Sequence, residues 1–175
     1  MKRQKLFHGE PIGAYLLVSI MLLLQLIGCS GDRTEELSGD YFYRVEGPTA
    51  KDILCHSDSC KSIYANVISY NFDGNFIIAA QQPIFSAYVN MVGFELRNDL
   101  KKYPTNSIEE IEESERIADS LLKHDPYYIK IFSRSLNYWI ISHKDKQLYG
   151  PFSNEEYLQK RRELGVPNSL ELDEK

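Results

Sequence analysis

Val67-Ile68-Ser69-Tyr70-Asn71-Phe72, then Asp73-Gly74, then Asn75-Phe76-Ile77-Ile78-Ala79-Ala80, is the stretch whose reading sets the fold class. Both arms are rich in β-branched and aromatic residues, which suit a pleated, half-buried surface. Asp-Gly between them supplies the positive φ angles of a type I′ turn, so the pattern predicts a β-hairpin. Pro83 cannot donate to a ladder and stops the second arm.

Upstream, Tyr41–Glu46 alternates apolar and polar residues and predicts the first strand, closed by Gly47-Pro48. Asp52–His56 reads as a weak second strand and Ser62–Tyr70 as a third. Downstream, Phe85, Tyr88, Met91, Val92 and Leu96 recur at spacings of three and four, as a helix requires. Gly93 weakens that helix and Pro104 ends it. Ser107–Lys123 predicts a firmer helix, because Ser107 and Glu110 form a capping box. Its apolar stripe is Ile108, Ile111, Ala118, Leu121 and Leu122, and its other side carries Glu109, Glu110, Glu112, Glu113 and Glu115.

Asp125-Pro126 breaks this helix, and Tyr127–Phe132 alternates as a strand does. Tyr138–His143 is a further strand, turned by Lys144-Asp145-Lys146 into Gln147-Leu148-Tyr149. Ser153 with Glu156 opens a last helix, which runs to Leu164 and stops at Gly165 and Pro167. The fold expected is α+β: a single antiparallel sheet of about five to seven strands, with two or three helices packed on one face.

The N-terminus carries a different signal. Lys2, Arg3 and Lys5 precede an apolar run from Ala14 to Ile27, and Leu26-Ile27-Gly28-Cys29 follows. The run is somewhat shorter than the roughly 20 apolar residues of a spanning helix. This segment resembles a bacterial lipoprotein signal. The resemblance implies cleavage before Cys29, diacylglyceryl transfer to its thiol and acylation of the new amino group. Ser30, in place of an aspartate, favours the outer membrane in a cell that has one. The expected organisation is a cleaved signal peptide over 1–28, an acylated flexible tether over 29–39, and one globular domain over 40–175 with a helical insertion around 84–126.

Loss of residues 1–28 removes a net charge of +2, so the formal charge of −5 becomes −7. That balance argues against nucleic acid as a partner, since phosphate neutralisation needs a basic stripe. The membrane is the expected partner through Cys29, together with a protein of the cell envelope. Twelve Tyr and eight Phe serve first as core and cross-strand packing.

Once Cys29 is acylated, Cys55 and Cys60 are left, and in an exported chain they predict one disulfide. Cys55, His56, Asp58 and Cys60 are all possible metal ligands. Structural zinc sites, however, add a second pair of ligands elsewhere, and the sequence has none. No metal or cofactor is expected.

Asn75–Pro83 (NFIIAAQQP), Tyr138–His143 (YWIISH), Leu148–Pro151 (LYGP) and Glu155–Pro167 (EEYLQKRRELGVP) carry a further likeness. They resemble a family of small bacterial lipoproteins catalogued as a domain of unknown function. Against its shorter members, residues 84–126 read as an insertion. The resemblance implies a fold and a location, and supplies no catalytic residue.

Chemistry read directly is sparse. Ser59 and Ser133 stand in no nucleophile motif. His8 falls in the signal, and His56, His124 and His143 fall at element ends or loops. The leading expectation is a lipid-anchored, non-enzymatic binding or accessory protein, with Phe85, Tyr88 and Met91 as a candidate contact surface. An inhibitor or immunity-type protein that meets one basic partner is the alternative. A small glycan or peptidoglycan hydrolase ranks last, and would pair Glu95 or Asp99 with a glutamate of the Ser107 helix.

Overall fold

The computed structural model describes residues 32–57 and 59–173. Residues 1–28, read above as a signal peptide, and Cys29 and Asp58 lie outside the described residues. Strands β1 (Arg33–Glu36), β2 (Tyr41–Val45), β3 (Lys51–Cys55), β4 (Val67–Phe72) and β5 (Phe76–Gln81) come first. Helices α1 (Phe85–Leu96), α2 (Ile108–His124) and α3 (Pro126–Phe132) follow, then β6 (Asn137–Ser142), β7 (Gln147–Phe152) and α4 (Asn154–Leu164).

The expected α+β class holds, but the single sheet divides into two antiparallel sheets, β1-β2-β3 and β4-β5-β6-β7. The division lies inside the stretch expected to be one strand from Ser62 to Tyr70. Ala65 and Asn66 take left-handed φ angles of 55° and 62°. One bridge, Ile53 to Ile63, precedes that bend. Beyond it, β4 pairs with β5 instead of continuing along β3.

The register of the four-stranded sheet pairs Ile77 with Ile141, Ile78 with Ile140 and Ala79 with Trp139. Successive side chains point to opposite faces. Ile77, Ala79, Trp139 and Ile141 therefore join Tyr88, Val92, Ala118, Leu122 and Ile131 in one core. Ile78 and Ile140 join Tyr157, Val166 and Leu170 in a second core on the other face. The helices opening at Ser107 and Ser153 thus lie on opposite faces, not on one. Burial on both faces accounts for the nearly continuous apolar reading of β5 and β6.

Two predicted local structures change in kind. Tyr127–Phe132 is helical, because the Asp125 carboxylate accepts from the Tyr127 N–H at 2.8 Å and Pro126 occupies the first turn. The residues that end α2 also start α3. The β4–β5 hairpin forms, but neither Asp73 nor Gly74 has a positive φ. Its turn is closed by Asp73 Oδ1, which accepts from Asn75 N–H (2.7 Å) and Phe76 N–H (2.8 Å).

Both capping boxes are present, at Ser107/Glu110 and Ser153/Glu156, and Gly165 closes α4 at φ 70°. The buried stripe of α2 is Ser114, Ala118 and Leu122, whereas Ile108 points outward at 71% exposure. At Gly93 a Cβ would lie 3.2 Å from Glu115 Cγ, so this glycine serves the close approach of α1 to α2. Residues 33–36, read above as part of a tether, form β1 and pair with β2 from Arg33–Val45 to Glu36–Phe42. Among the described residues no helix is long and apolar enough to cross a membrane.

Candidate functional site

The helix over 85–96 and the small sheet enclose a groove of about 530 Å³. One wall is Ser86, Ala87, Asn90, Met91 and Phe94, spaced so that they share one face of α1. The other wall is Thr49, Ala50, Tyr64 and Ala65, and Arg44, Glu46 and Asp52 supply the charge. Phe94 is 61% exposed. An aromatic left in water beside a groove is a ready contact for an apolar group.

The charged groups of the groove are fixed by one another. Asp52 is buried, accepting from the Ala65 N–H at 2.8 Å and from Arg44 Nη2 at 3.2 Å. Arg44 Nη1 lies 3.1 Å from Glu46 Oε1, while its Nε is buried without a partner. The guanidinium therefore carries two carboxylates and leaves its buried Nε–H without an acceptor. Tyr64 donates to Glu95 Oε1 at 2.6 Å. Burial, then that hydrogen bond, pushes its phenol far above the usual range.

Ala65 and Asn66 hold left-handed angles without being glycine, at an expected cost on the order of 1–3 kcal/mol each. Asp52 on the Ala65 N–H, Gln81 Nε2 on the Tyr64 carbonyl and the Gln82 N–H on the Asn66 carbonyl keep the bend in place. Gln81 Nε2 also donates to the Tyr88 hydroxyl at 2.6 Å, and Gln81 Oε1 accepts from Trp139 Nε1 at 2.9 Å. The bend beside the groove is thus tied to the centre of the main core.

A second cavity, about 310 Å³, lies at the other end of the small sheet between Gly39, Asp40, Tyr41, Cys60, Ser142, His143 and Lys146. Ser38 Oγ and His143 Nε2 meet there at 2.8 Å across 105 residues of sequence. A Cβ on Gly39 would lie 2.8 Å from His143 Nδ1, and Gly39 takes φ 65°, so this approach requires glycine. Burial lowers the His143 pKa, while Asp73 and Asp40 pull it back upward. Cys55 and Cys60 are bonded, with Cα atoms 6.0 Å apart, and their thiols are thereby taken out of any metal site. Among the described residues no cluster of three metal-ligating side chains occurs.

The other sequence candidates are dispersed. Tyr88 is buried in the core and Phe85 and Met91 are half-buried against it, so the expected contact surface on α1 shifts to Phe94 with Met91. Glu95 is engaged by Tyr64, and Asp99 Oδ1 accepts from the Lys101 N–H at 3.1 Å. Ser133 donates to the Lys130 carbonyl, Ser59 pairs with Ser57, and His124 Nδ1 donates to the Ser120 carbonyl. His56 stacks on Phe42 and donates to Glu36. Sequence reading missed Arg44, Asp52, Tyr64 and the Ser38–His143 pair. The one available signal was Phe94, an aromatic placed off the apolar stripe of its helix.

Nothing among curated proteins or solved structures matches this chain. A family model, Protein of unknown function (DUF3997), matches residues 49–175 and so covers the groove's helix, the disulfide, and both cores apart from Tyr41. The chain belongs to that family.

Proposed function

We propose that this protein is a lipid-anchored component of the cell envelope that binds a partner in the groove between α1 and the small sheet, without catalysing a reaction on it. Anchorage rests on Leu26-Ile27-Gly28-Cys29 behind a basic start and an apolar run. Two or three acyl chains, each gaining about 0.8 kcal/mol per buried CH₂, hold a domain almost permanently. In a cell with two membranes, Ser30 directs the protein to the outer one.

The observation that carries the binding reading is Phe94, 61% exposed over a groove floored by the Arg44–Asp52 pair. Apolar contact from Phe94 and Met91 over a floor whose charges are already paired suits a polypeptide segment that inserts an apolar side chain. Phe94→Ala tests this. Envelope cross-linking with the wild-type chain should return one stoichiometric protein, and the variant should lose it while melting at an unchanged temperature. Equal capture by both chains removes the groove from the reading.

The inhibitor or immunity-type alternative gains from α2, whose Glu109, Glu112 and Glu113 face solvent. A complex built on that face would weaken steeply with salt, and Phe94→Ala would leave it intact.

A further inference from the structure

We propose that the lipidated protein turns one end of its small sheet to the bilayer: the row Arg33–Val45–Lys51 with the turn over 46–50. The occupant of this surface is the lipid headgroup layer. The proposal rests on the reading of Cys29 as the anchor and goes beyond it, because an anchor on a long tether would orient nothing.

Chain length limits how far the domain can stand from its anchor. β1 starts at Arg33, so only Ser30, Gly31 and Asp32 separate it from Cys29. Four Cα steps of ~3.5 Å span at most ~14 Å. That is short against a domain of this size, so Arg33 stays within one short reach of the headgroups.

Arg33 is also fixed to the domain. β1 pairs with β2 over four residues. Glu35 of β1 accepts from the Tyr70 hydroxyl of the main sheet at 2.9 Å, and the Tyr70 ring packs on Tyr43 of β2 at 4.4 Å. The antiparallel registers put Arg33 beside Val45 and Val45 beside Lys51. That row and the turn joining β2 to β3 therefore form the anchored end. Three residues along the strand, ~10 Å further, lies the row Glu36–Phe42–Leu54, and past it the turn at Ser38 and the His143 cavity.

Charge permits the approach. Asp32 and Glu46 at the anchored end are matched by Arg33 and Lys51, and the turn Gly47-Pro48-Thr49-Ala50 carries no charge. The mature chain as a whole is at −7. An anionic leaflet would repel most of the acidic surface and tolerate this balanced rim. The groove shares its Arg44, Glu46, Thr49 and Ala50 with this end, so a partner meets it at the membrane surface, while the His143 cavity faces the aqueous space.

The test uses the processed full chain in phosphatidylcholine vesicles that carry a nickel-chelating lipid. Nitroxide is placed by Thr49→Cys or by Lys144→Cys in the turn after β6; with Cys29 acylated and Cys55 bonded to Cys60, each new thiol stands alone for labelling. Nickel should relax the label of Thr49→Cys several-fold more than that of Lys144→Cys. A long Gly/Ser stretch inserted between Gly31 and Asp32 should abolish the difference.

Equal relaxation at the two positions in acylated protein overturns the orientation. A difference that survives the insertion overturns tether length as its cause. Mass spectrometry of Cys29 separates the two levels. Absence of acyl mass overturns the anchoring reading and the orientation with it, whereas acylated protein with equal labels overturns the orientation alone.

Discussion

The two sheets of this protein differ in what covers them. In the four-stranded sheet, β5 and β6 are central strands buried on both faces, by α1–α3 on one side and α4 on the other. In the three-stranded sheet, β1 is an exposed edge and β2 is half-buried. The first is held by apolar area. The second puts Tyr41 and Ile53 into the main core from one face only, and otherwise depends on discrete links: the Cys55–Cys60 bond, Ser38 to His143, Glu35 to Tyr70, and Asp52 to the Ala65 N–H. A region held by few links opens at lower free energy than a two-sided core. One wall of the groove and the proposed anchored end both belong to the loosely held sheet, so the binding and attachment proposed above would act on a region that can move without unfolding the rest.

The strongest way to break this contrast is to attack the large sheet. Trp139 is 1% exposed, and its Nε1 is bound to Gln81. Trp139→Ala should cost about 3–5 kcal/mol by loss of transfer energy and creation of a cavity. Urea unfolding should show one transition at a much lower midpoint, with both sheets lost together. If the variant does not fold, Trp139→Phe should give a smaller cost in the same single transition. A second transition in either variant would mean that the small sheet folds on its own, against the contrast drawn here.

Removing the disulfide tests the opposite side. Closing so short a loop is worth about 2 kcal/mol. Cys55→Ser with Cys60→Ser should lower stability by that order. Amide exchange in β1, β2 and β3 should stay faster than in β5 and β6 as protection falls, because the small sheet opens at lower free energy than the whole chain unfolds. Equal protection of the two sheets would show that they are one cooperative unit.

The helix caps sharpen the comparison at smaller scale. Ser107 and Ser153 cap helices on opposite faces of the large sheet, and each side chain accepts from the backbone N–H three residues on. Ser107→Ala and Ser153→Ala should each cost about 1 kcal/mol in chemical denaturation. A cost near zero at either would show that the helix end is held by tertiary packing instead.

These caps were also the most legible part of the sequence, because a cap is written within four residues. The hairpin at Asp73-Gly74 was legible for the same reason, although Asp73 closes it through its carboxylate and not through a positive φ. What could not be read was set by distant partners. The break between the sheets depends on Ala65 and Asn66, ordinary residues forced left-handed by Asp52, Gln81 and Gln82. The placement of α4 on the opposite face follows from which of two buried faces it meets, and strands buried on both sides carry no alternation to say so. Tyr127–Phe132 alternates like a strand because a one-sided helix of seven residues offers too few turns to show its period. The candidate site suffered most. Ser38 and His143 are 105 residues apart, and Arg44 meets Asp52 only through strand pairing.

The smallest expected effect concerns acid, and it falls on the link between Ser38 and His143. Burial lowers the His143 pKa in the folded protein below its value in the unfolded chain, with Asp73 and Asp40 opposing the shift. The unfolded chain therefore binds more protons than the folded one as pH falls through roughly 6.5, the ordinary histidine value. The stability contribution is complete above that value and declines toward the lower folded value. Because the ring is half-buried and Asp73 and Asp40 oppose the shift, the decline is small and is best read locally. Histidine NMR should give His143 a titration midpoint below the ordinary histidine value. Amides of β1 and β2 should exchange faster at pH 5.5 than at pH 7.5, beyond the intrinsic pH effect. His143→Gln should flatten that difference while leaving the large sheet unaffected. A His143 midpoint at or above the ordinary value would mean that Asp73 and Asp40 outweigh burial, and the small sheet would then tighten in acid.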